Sequence, residues 1–371
     1  MHHSFERIVL HLDLNYFFAQ AEELRKPELK CKPVVVCVYS GRTPTSGAVG
    51  TSNYLARALG IKSGQPIFQA QQKATPETVF LPVDIQYYKI ISIQVMEILK
   101  SHSDSFESGG VDEAFIEITQ ACKGNYKKAK ELAEEIKKDL LQKTGLICSI
   151  GIAPNKLLAK IASDFQKPDG LTILEPFQVQ KFINPLSVSV ISGIGPKTAE
   201  HLKELHVEKV SELAKLQKSV LIQEFGNAKG DFLFQAAQGL DESPVQESSE
   251  HQQFSRMTTL KKDSKNLTEL IEVSIPLMNE LCARCQKENI FFKTISIVLV
   301  STKLESFTKA KTVLAPTHDL KIFQQTVQSL FSDFLKLHTD FTARRLGISV
   351  SHFSSSFKPS LSEKQRTLNE F

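Results

Sequence analysis

The chain has 371 residues, a formal net charge of +4, 41% hydrophobic residues and 23% charged residues. This length suggests two to four domains, because a single core rarely serves more than about 250–300 residues. The composition excludes wholesale disorder and collagen-like repeats. No apolar run reaches the roughly 18 residues of a membrane span, and the polar start Met1-His2-His3-Ser4 lacks a secretory apolar segment.

Strands and helices alternate through the first half of the chain. An apolar strand is predicted over 8–12, ending at Asp13, and a second strand over 33–38. Residues 40–50 are rich in Gly, Ser and Thr and predict a loop before a helix near 52–59. Further patterns predict strands over 111–118 and 147–152 and helices over 85–99, 127–142 and 156–164. This half is expected to combine α and β elements around one sheet.

The second half changes character twice. Short helices interrupted by Gly are predicted over 175–240, and the acidic, Ser-rich stretch 241–251 reads as a linker. Beyond it, strands near 252–260, 294–300 and 346–352 with helices over 267–286 and 320–335 predict a compact α+β unit. Residues 252–352 carry 14 Lys and Arg against 9 Asp and Glu, an excess that would suit a surface gripping a nucleic-acid backbone.

Three carboxylates stand at predicted strands. Asp13 follows the first strand in HLDLNYFFAQ, and Asp112 and Glu113 lie in GGVDEAFIEI. A carboxylate within a strand costs free energy unless cations compensate for it, and three converging carboxylates would suit two hard divalent ions. The alternative left open by the pattern is that Asp13 caps the following helix and that the other two occupy a turn.

Four segments carry a resemblance to a known family. HLDLNYFFAQAEE, SGAVGTSNYLARALGIKSGQP, GGVDEAFIEI and GIAPNKLLAKIASDFQKPDG resemble, in order, the successive motifs of the Y-family DNA polymerases. The nearest resemblance is to the DNA polymerase IV type found in archaea and bacteria, over residues 7–240 and more loosely to 352. It implies an α+β right-hand fold with a palm (1–16 and 83–174), fingers (17–82), a helical thumb (175–240), a linker (241–251), a little finger (252–352) and a tail (353–371).

The resemblance also implies an activity and its metal site. The protein would be a template-directed, low-fidelity DNA polymerase for translesion synthesis, transferring dNTPs to a primer 3′-hydroxyl with release of pyrophosphate and without a proofreading exonuclease. Two Mg²⁺ ions, replaceable by Mn²⁺, would be bound by Asp13, Asp112, Glu113 and the backbone carbonyl of Leu14. Asn15 stands where many relatives carry a second acid, but that position is not a metal ligand. The expected partners are primer–template DNA and dNTPs, and a cytoplasmic, nucleoid-associated monomer is expected.

Four residues match the family's triphosphate-binding positions. Tyr54 and Arg57 in TSNYLAR lie three apart, on one face of a helix. By similarity they bind the β- and γ-phosphates together with Thr51 and Lys167. Arginine suits this role because its planar fork matches phosphate oxygens, although a solvated surface cation is the plainer interpretation of Arg57 and Lys167.

Selection of sugar and base is implied by three more positions. Phe18 matches the family's steric gate, an aromatic ring that would collide with a ribose 2′-hydroxyl. Ala48 and Gly50 match the small residues over the nascent base pair, where little side-chain volume implies weak shape checking. A plain core role for an aromatic at position 18 is the alternative.

Several basic or glycine-rich features point to DNA. The turn Gly193-Ile194-Gly195-Pro196-Lys197 resembles the helix-hairpin-helix of the family's thumb, which offers backbone N–H groups to a phosphate. A nucleotide P-loop is disfavoured because Pro196 stands where that motif has Gly. In the little finger the candidate DNA-backbone contacts are Arg256, Lys261, Lys262, Arg344 and Arg345.

The C-terminus and the cysteines yield two short patterns. Gln365, Leu368 and Phe371 have the spacing of a peptide that docks on ring-shaped sliding clamps. Six scattered cysteines suggest reduced intracellular thiols, and the lone Cys282-x-x-Cys285 pair is a weak zinc signal.

Two rival functions are weighed against polymerization. A metal-dependent nuclease could use the same carboxylates, but it would need neither a triphosphate grip nor a sugar gate. A catalytically silent DNA-binding scaffold could use the hairpin and the basic third unit, but it would not need three intact acids.

Overall fold

The computed structural model describes residues 5–247 and 251–354. These residues form two compact units. The first comprises 5–38, 49–65 and 69–247, and the second comprises 39–48, 66–68 and 251–354. Gln365, Leu368 and Phe371, the predicted clamp-docking residues, lie outside the described residues.

The described part of the chain contains both strands and helices, with a purely helical stretch over 179–237. Its strands are β1 Val9–Leu14, β2 Val34–Tyr39, β3 Gly47–Ser52, β4 Val79–Pro82, β5 Ser105–Ser108, β6 Glu113–Glu117, β7 Cys148–Ala153, β8 Leu171–Ile173, β9 Gln253–Ser264, β10 Phe291–Ser301, β11 Ser306–Thr317 and β12 Ala343–Ser354. Its helices are α1 Phe17–Arg25, α2 Tyr54–Ala58, α3 Ile67–Lys73, α4 Ile85–Ser101, α5 Thr119–Cys122, α6 Tyr126–Thr144, α7 Lys156–Phe165, α8 Val179–Ile183, α9 Pro196–Glu204, α10 Val210–Leu213, α11 Lys218–Phe225, α12 Asn227–Ala237, α13 Leu267–Lys287 and α14 Leu320–Leu337.

A five-stranded sheet forms the centre of the first unit, in the order β5-β6-β1-β7-β8. Its middle strand, β1, runs antiparallel to both β6 and β7. Alternate residues of β1 enter different cores: Leu10 and Leu12 join the cluster that contains residues of α4 and α6, whereas Val9 joins the cluster that contains residues of α7 and α12. The sheet is therefore covered on both faces, and its strand ends are the places where polar groups can reach solvent.

Helix α7 lies unusually close to this sheet. A side chain at Gly151 in β7 would place its Cβ 2.1 Å from the carbonyl oxygen of Ala159 and 2.3 Å from the backbone N of Ser163. Only glycine permits that approach. Because the helix backbone rests on the sheet here, short side chains of α7 can reach the middle strand.

The acidic stretch predicted as a linker makes definite contacts up to residue 247. Asp241 accepts a hydrogen bond from the backbone N of Leu157 at the start of α7, and Arg7 donates to the carbonyl of Ser243. Glu107 accepts from the backbone N of Gln246 and pairs with Lys156 at 2.7 Å. Acidic side chains here accept hydrogen bonds from main-chain groups, one of them at the start of a helix.

The second unit is built on a four-stranded antiparallel sheet in the order β11-β10-β12-β9. Helices α13 and α14 supply Leu281, Phe323 and Phe331 to a core shared with Phe292 and Ile348 of the sheet. The predicted α+β class is thereby confirmed for both units.

Most predicted elements are found within a few residues. The stretch 40–50, predicted as a loop, contains the start of β3 at Gly47, and β4, β5, β8, β11 and α3 were not predicted. Strands β3 and β11 are rich in small or polar residues and only partly buried, so hydrophobic periodicity carries little signal for them. Strands β4, β5 and β8 have only three or four residues each, which is too short to show a period. No helix of the described ranges is long and apolar enough to cross a bilayer.

Candidate active site

The three predicted carboxylates meet at one end of the central sheet. Asp13 near the end of β1 is the cross-strand partner of Glu113 at the start of β6. The backbone N of Leu14 donates to the carbonyl of Asp112 at 2.8 Å, which ties the end of β1 to the turn before β6. Residues that are 100 positions apart are thus neighbours because antiparallel pairing fixes their register.

Two lysines from α7 and the turn after it neutralise this acidic cluster. Lys167 Nζ lies 2.7 Å from Asp13 Oδ1 and 2.6 Å from Asp164 Oδ1. Lys160 Nζ pairs with Glu113 Oε2. In this arrangement no three His, Cys, Asp or Glu side chains of residues 5–247 and 251–354 are grouped closely enough to hold one metal ion. The carboxylates are adjacent, and the ammonium groups of Lys160 and Lys167 pair with two of them, Glu113 and Asp13.

The environments of the carboxyl groups differ. Burial raises the pKa of Asp13 above its ordinary value, against the opposing effect of Lys167. Burial also raises the pKa of Asp112, and the negative charges of Asp13 and Glu113 raise it further. Contact with His11, together with the Lys160 ammonium, lowers the pKa of Glu113 to about 2. The cluster therefore holds negative charge that a cation would stabilise.

His11 lies behind Glu113 and was not predicted as a site residue. Its side chain is 1% exposed, and Nε2 lies 3.5 Å from Glu113 Oε2. Its Nδ1 lies 2.7 Å from Ser163 Oγ of α7. Burial lowers the pKa of His11 below its ordinary value, so the imidazole is neutral near pH 7.

Two of the predicted triphosphate residues, Tyr54 and Arg57, lie on α2. The side chain of Asn53 caps this helix by accepting from the backbone N of Ala56, and Arg57 Nε donates to the carbonyl of Ser52 at 2.9 Å. The Arg57 guanidinium lies 4.9 Å from the centre of the Tyr54 ring. The Tyr54 hydroxyl is buried and has no hydrogen-bond partner among the described residues.

Electrostatics links this group to the carboxylates. Burial raises the pKa of Tyr54, and the charges of Arg57 and Lys167 oppose that rise. Thr51 lies in β3 immediately before this helix. Tyr16, which was not predicted, packs its ring edge-on against Tyr54 with centroids 5.4 Å apart. A hydroxyl and two cations thus face the same region as Asp13.

Phe18 occupies the first turn of α1 and is half-buried. Its ring stacks on Tyr88 of α4, and an added Cβ at Gly50 would lie 3.9 Å from the Phe18 ring and 3.3 Å from the carbonyl oxygen of Val36. Gly50 therefore leaves the space beside the Phe18 ring open. Ala48 belongs to the second unit, where it bridges to Pro66.

The predicted hairpin of the thumb has an exposed glycine turn. Gly193 has φ of +100°, and Gly195 is the N-cap of α9, which begins with Pro196. Gly193, Gly195 and Lys197 are exposed, whereas Ile194 between the glycines is buried. The turn therefore presents backbone N–H groups and one lysine to solvent, as phosphate binding requires.

The five predicted cations of the little finger fall into two groups. Arg256 pairs with Glu280 at 2.6 Å, and Arg344 pairs with Asp263 at 3.0 Å. Asp263 also binds Arg42 within the second unit, and its pKa is lowered, most strongly by its hydrogen bond with Arg344. The remaining three are exposed: Lys261, Lys262 and Arg345.

The cysteine pair is placed in the core. Cys282 and Cys285 are both buried, and Cys282 Sγ donates to the carbonyl of His318 at 2.8 Å. Burial raises the pKa of both thiols. Buried neutral thiols of this kind pack as small apolar groups.

The residues that sequence reasoning missed are His11, Tyr16, Tyr88, Lys160 and Ser163. Only the last two carry a sequence signal, since their spacing of three places them on one face of a helix. His11 belongs to an apolar strand pattern. Nothing in that pattern indicates that its ring contacts Glu113, which lies on the neighbouring strand opposite Asp13.

Three family models match the chain. The impB/mucB/samB family matches residues 12–164, its C-terminal domain matches 251–368, and the DNA polymerase-iota thumb domain matches 190–241. The first match contains the three carboxylates, and the third contains the glycine hairpin.

Curated relatives and solved structures extend over nearly the whole chain. A DNA polymerase IV of Nitrosopumilus maritimus is 44% identical over 94% of this chain and 96% of its own length. One of Saccharolobus solfataricus is 35% identical over 93% of this chain and 96% of its own. A Y-family DNA polymerase chimera of Dbh and Dpo4 matches with a TM-score of 0.87 and 34% identity over 93% of this chain and 98% of that chain. An insertion ternary complex of Dbh DNA polymerase matches with a TM-score of 0.67 and 34% identity over the same shares.

Proposed function

The chain belongs to the Y family of DNA polymerases and is a DNA-directed DNA polymerase for translesion synthesis, and we propose that Asp13, Asp112 and Glu113 form its catalytic centre. The observation that carries this proposal is the pairing of Asp13 with Glu113 beside Asp112 at one end of β1. Enzymes of this family are nucleotidyltransferases that use divalent metals, and we propose two Mg²⁺ ions, with Mn²⁺ as a substitute.

The donor set fits such ions. Oxygen atoms of Asp13, Asp112, Glu113 and the Leu14 carbonyl are hard ligands of the kind that Mg²⁺ prefers. The paired ammonium groups of Lys160 and Lys167 supply positive charge at the same carboxylates and can swing away without backbone movement, since lysine side chains are flexible. When bound, the ions would lower the pKa of the primer 3′-hydroxyl and offset the charge of the leaving pyrophosphate.

The residues of α2 would bind the incoming nucleotide. We propose that the buried Tyr54 hydroxyl, which lacks a partner among the described residues, donates to a phosphate oxygen. Arg57 and Lys167 would add charge-assisted hydrogen bonds, and Thr51 a further hydroxyl. The α-phosphorus of a nucleotide held in this way would face the primer 3′-hydroxyl. Such orientation of the two reacting groups lowers the activation barrier of nucleotidyl transfer.

The flat ring of Phe18 would select the sugar of the incoming nucleotide, and the small residues Gly50 and Ala48 would make the site tolerant of the base. The Phe18 ring would exclude a ribose 2′-hydroxyl by collision. Gly50 and Ala48 would leave space over the nascent base pair, so distorted template bases would be accommodated. We propose accordingly a low-fidelity enzyme without proofreading.

DNA would be held by features remote from the carboxylates. The exposed turn of Gly193, Gly195 and Lys197 suits a backbone phosphate. In the second unit Lys261, Lys262 and Arg345 are exposed cations. Arg256 and Arg344 would have to exchange their acidic partners for phosphate, so we expect their contribution to be smaller.

The C-terminal segment and the domain organisation complete the proposal. We propose docking on a ring-shaped sliding clamp through Gln365, Leu368 and Phe371, action as a monomer in the cytoplasm at the nucleoid, and the palm, fingers, thumb and little-finger boundaries inferred from the sequence. Primer–template DNA and dNTPs are the substrates that the family membership supports.

One assay distinguishes the candidate functions. The full chain is incubated with a labelled primer–template, dNTPs and Mg²⁺, beside Asp112→Ala. Polymerization lengthens the primer in the native protein and leaves it unchanged in the variant. Shortening of a labelled strand would indicate a nuclease, and a band shift without any change in length would indicate a scaffold.

A further inference from the structure

The buried histidine His11 lies beside Glu113, one of the candidate metal-binding carboxylates. His11 shares a face of the sheet with Asp13, two residues further along β1, and its ring lies 4.5 Å from the ring of Phe115. Its Nε2 lies 3.5 Å from Glu113 Oε2 and has no closer hydrogen-bond partner among the described residues. A buried polar nitrogen whose one available acceptor is this distant costs free energy, so its presence next to a candidate metal-binding acid requires an explanation.

The other ring nitrogen is fixed by α7. Ser163 Oγ lies 2.7 Å from His11 Nδ1 and 2.8 Å from the carbonyl oxygen of Lys160. The hydroxyl has one proton to donate. If the Ser163 hydroxyl donates to the Lys160 carbonyl, His11 Nδ1 must carry a hydrogen and donate to Ser163 Oγ, and Nε2 is then an acceptor that faces a carboxylate. If the Ser163 hydroxyl donates to Nδ1 instead, Nε2 carries the hydrogen and can donate to Glu113.

The geometry points to His11 as a positioning residue for Glu113. An unprotonated Nε2 would repel the carboxylate beside it, so the favourable arrangement is the one in which Ser163 turns its proton from the Lys160 carbonyl to Nδ1. The Nε2–H group then donates to Glu113 Oε2 and restrains rotation of the carboxylate, leaving Oε1 for a metal ion. This inference rests on the proposed role of Glu113 and extends it to a pair of residues, His11 and Ser163, outside the ligand set.

The contrast with Lys160 explains why a histidine suits this position. An ammonium paired with Glu113 repels a divalent ion at the same carboxylate and must move when the ion arrives. The His11 ring need not move to make room for the ion, because it lies between β1 and α7. It is also rigidly held, because α7 rests directly on Gly151 and brings Ser163 within reach of the middle strand. Outer partners of this kind tune metal ligands in other proteins.

The test measures metal affinity directly. Mn²⁺ is titrated into the full chain with a chain-terminated primer–template and dNTP, and free Mn²⁺ is followed by electron paramagnetic resonance. We expect His11→Leu to weaken Mn²⁺ binding about tenfold, the lower end of the effect of losing an outer partner. His11→Gln keeps an N–H donor near the Nε2 position and should recover most of the affinity. Ser163→Ala, which frees the ring tautomer, should fall between them.

Controls separate the possible failures. Thr172→Val alters another buried polar side chain of the same sheet and should leave Mn²⁺ affinity unchanged; melting curves show which variants are folded. If Glu113→Gln also leaves Mn²⁺ affinity unchanged, the metal site itself is misassigned. If Glu113→Gln weakens binding but folded His11→Leu does not, the positioning role is overturned; should His11→Leu fail to fold, an unchanged Ser163→Ala overturns it instead.

Discussion

The rings of Phe18 and Tyr88 are stacked, with centroids 4.6 Å apart and planes inclined by 15°. Tyr88 is 1% exposed, and its hydroxyl donates to Glu22 Oε1 at 2.9 Å. The proposed sugar gate therefore rests on a buried ring that is itself fixed by a hydrogen bond. Rejection of a ribonucleotide by collision needs such a rigid support, since a ring that could tilt would yield to the 2′-hydroxyl.

Phe18→Ala should remove sugar discrimination. We expect the ratio of kcat/KM for a dNTP over the matching rNTP to fall by about a hundredfold, equivalent to about 3 kcal/mol of lost repulsion. Single-nucleotide insertion on one template measures the ratio. Phe177→Ala makes the same change at a side chain that is 79% exposed and should leave it intact. A ratio that is the same in both variants would remove Phe18 from this role.

Tyr88→Leu should weaken discrimination without removing the gate. Leucine keeps apolar volume beneath Phe18 but not a flat support, so we expect an intermediate loss of about tenfold. Tyr88→Phe keeps the stack and loses only the hydrogen bond to Glu22, and it should discriminate nearly as well as the native enzyme. Insertion kinetics with paired dNTP and rNTP tests both; full discrimination by Tyr88→Leu would show that Phe18 needs no support.

Tyr54→Phe should separate nucleotide binding from stability. The Tyr54 hydroxyl is buried without a partner among residues 5–247 and 251–354, so its removal should leave the melting temperature unchanged or slightly higher. If the hydroxyl binds phosphate, KM for dNTPs should rise about fivefold, which corresponds to about 1 kcal/mol for one hydrogen bond. Steady-state kinetics and thermal melting decide; a lower melting temperature with an unchanged KM would indicate a structural role.

Asp112→Asn should stabilise the metal-free protein while it abolishes synthesis. The pKa of Asp112 is raised in the folded chain, so its ionised form costs folding free energy above the ordinary pKa of aspartate, and this cost disappears in more acidic solution. At neutral pH with a chelator we expect Tm to rise by roughly 2–4 °C, the shift that corresponds to a gain of about 1 kcal/mol in the free energy of unfolding. Primer extension should fall at least about a hundredfold.

The matched control for this variant is Asp333→Asn, which neutralises an exposed acid of α14. It should change neither Tm nor extension. A Tm for Asp112→Asn below that of the native chain would mean that the carboxylate stabilises the fold, against the burial cost and the charge repulsion inferred for Asp112.

Deletion of residues 365–371 should affect only clamp-dependent synthesis. The segment contains Gln365, Leu368 and Phe371 and includes none of the residues proposed to bind metal, nucleotide or DNA, so distributive extension on a short primer–template should be unchanged. Stimulation by a trimeric sliding clamp should be lost. Substituting Leu368 and Phe371 together by Ala provides the point-variant version; equal stimulation of native and truncated chains would exclude docking through this peptide.

The sequence by itself determined the order of the longer, strongly patterned elements and the identity of the chemical groups. The apolar run before Asp13 predicts β1, the amphipathic periods predict α4, α6 and α7 within a few residues, and four motifs in order predict the family. These signals are local, because helix and strand periods are visible within one segment. Strands with weak apolar patterning, β3 and β11, lacked such a signal.

Only the tertiary structure decided which groups meet. The register that places Asp13 opposite Glu113, the approach of α7 to Gly151, and the contacts of Lys160, Ser163 and His11 at the acidic end of the sheet all depend on pairing between distant segments. Such contacts are set by strand register and by how closely a helix packs on a sheet. Neither quantity is encoded in the periodicity of any one segment, so His11 reads as one more residue of an apolar strand until β6 and α7 lie against it.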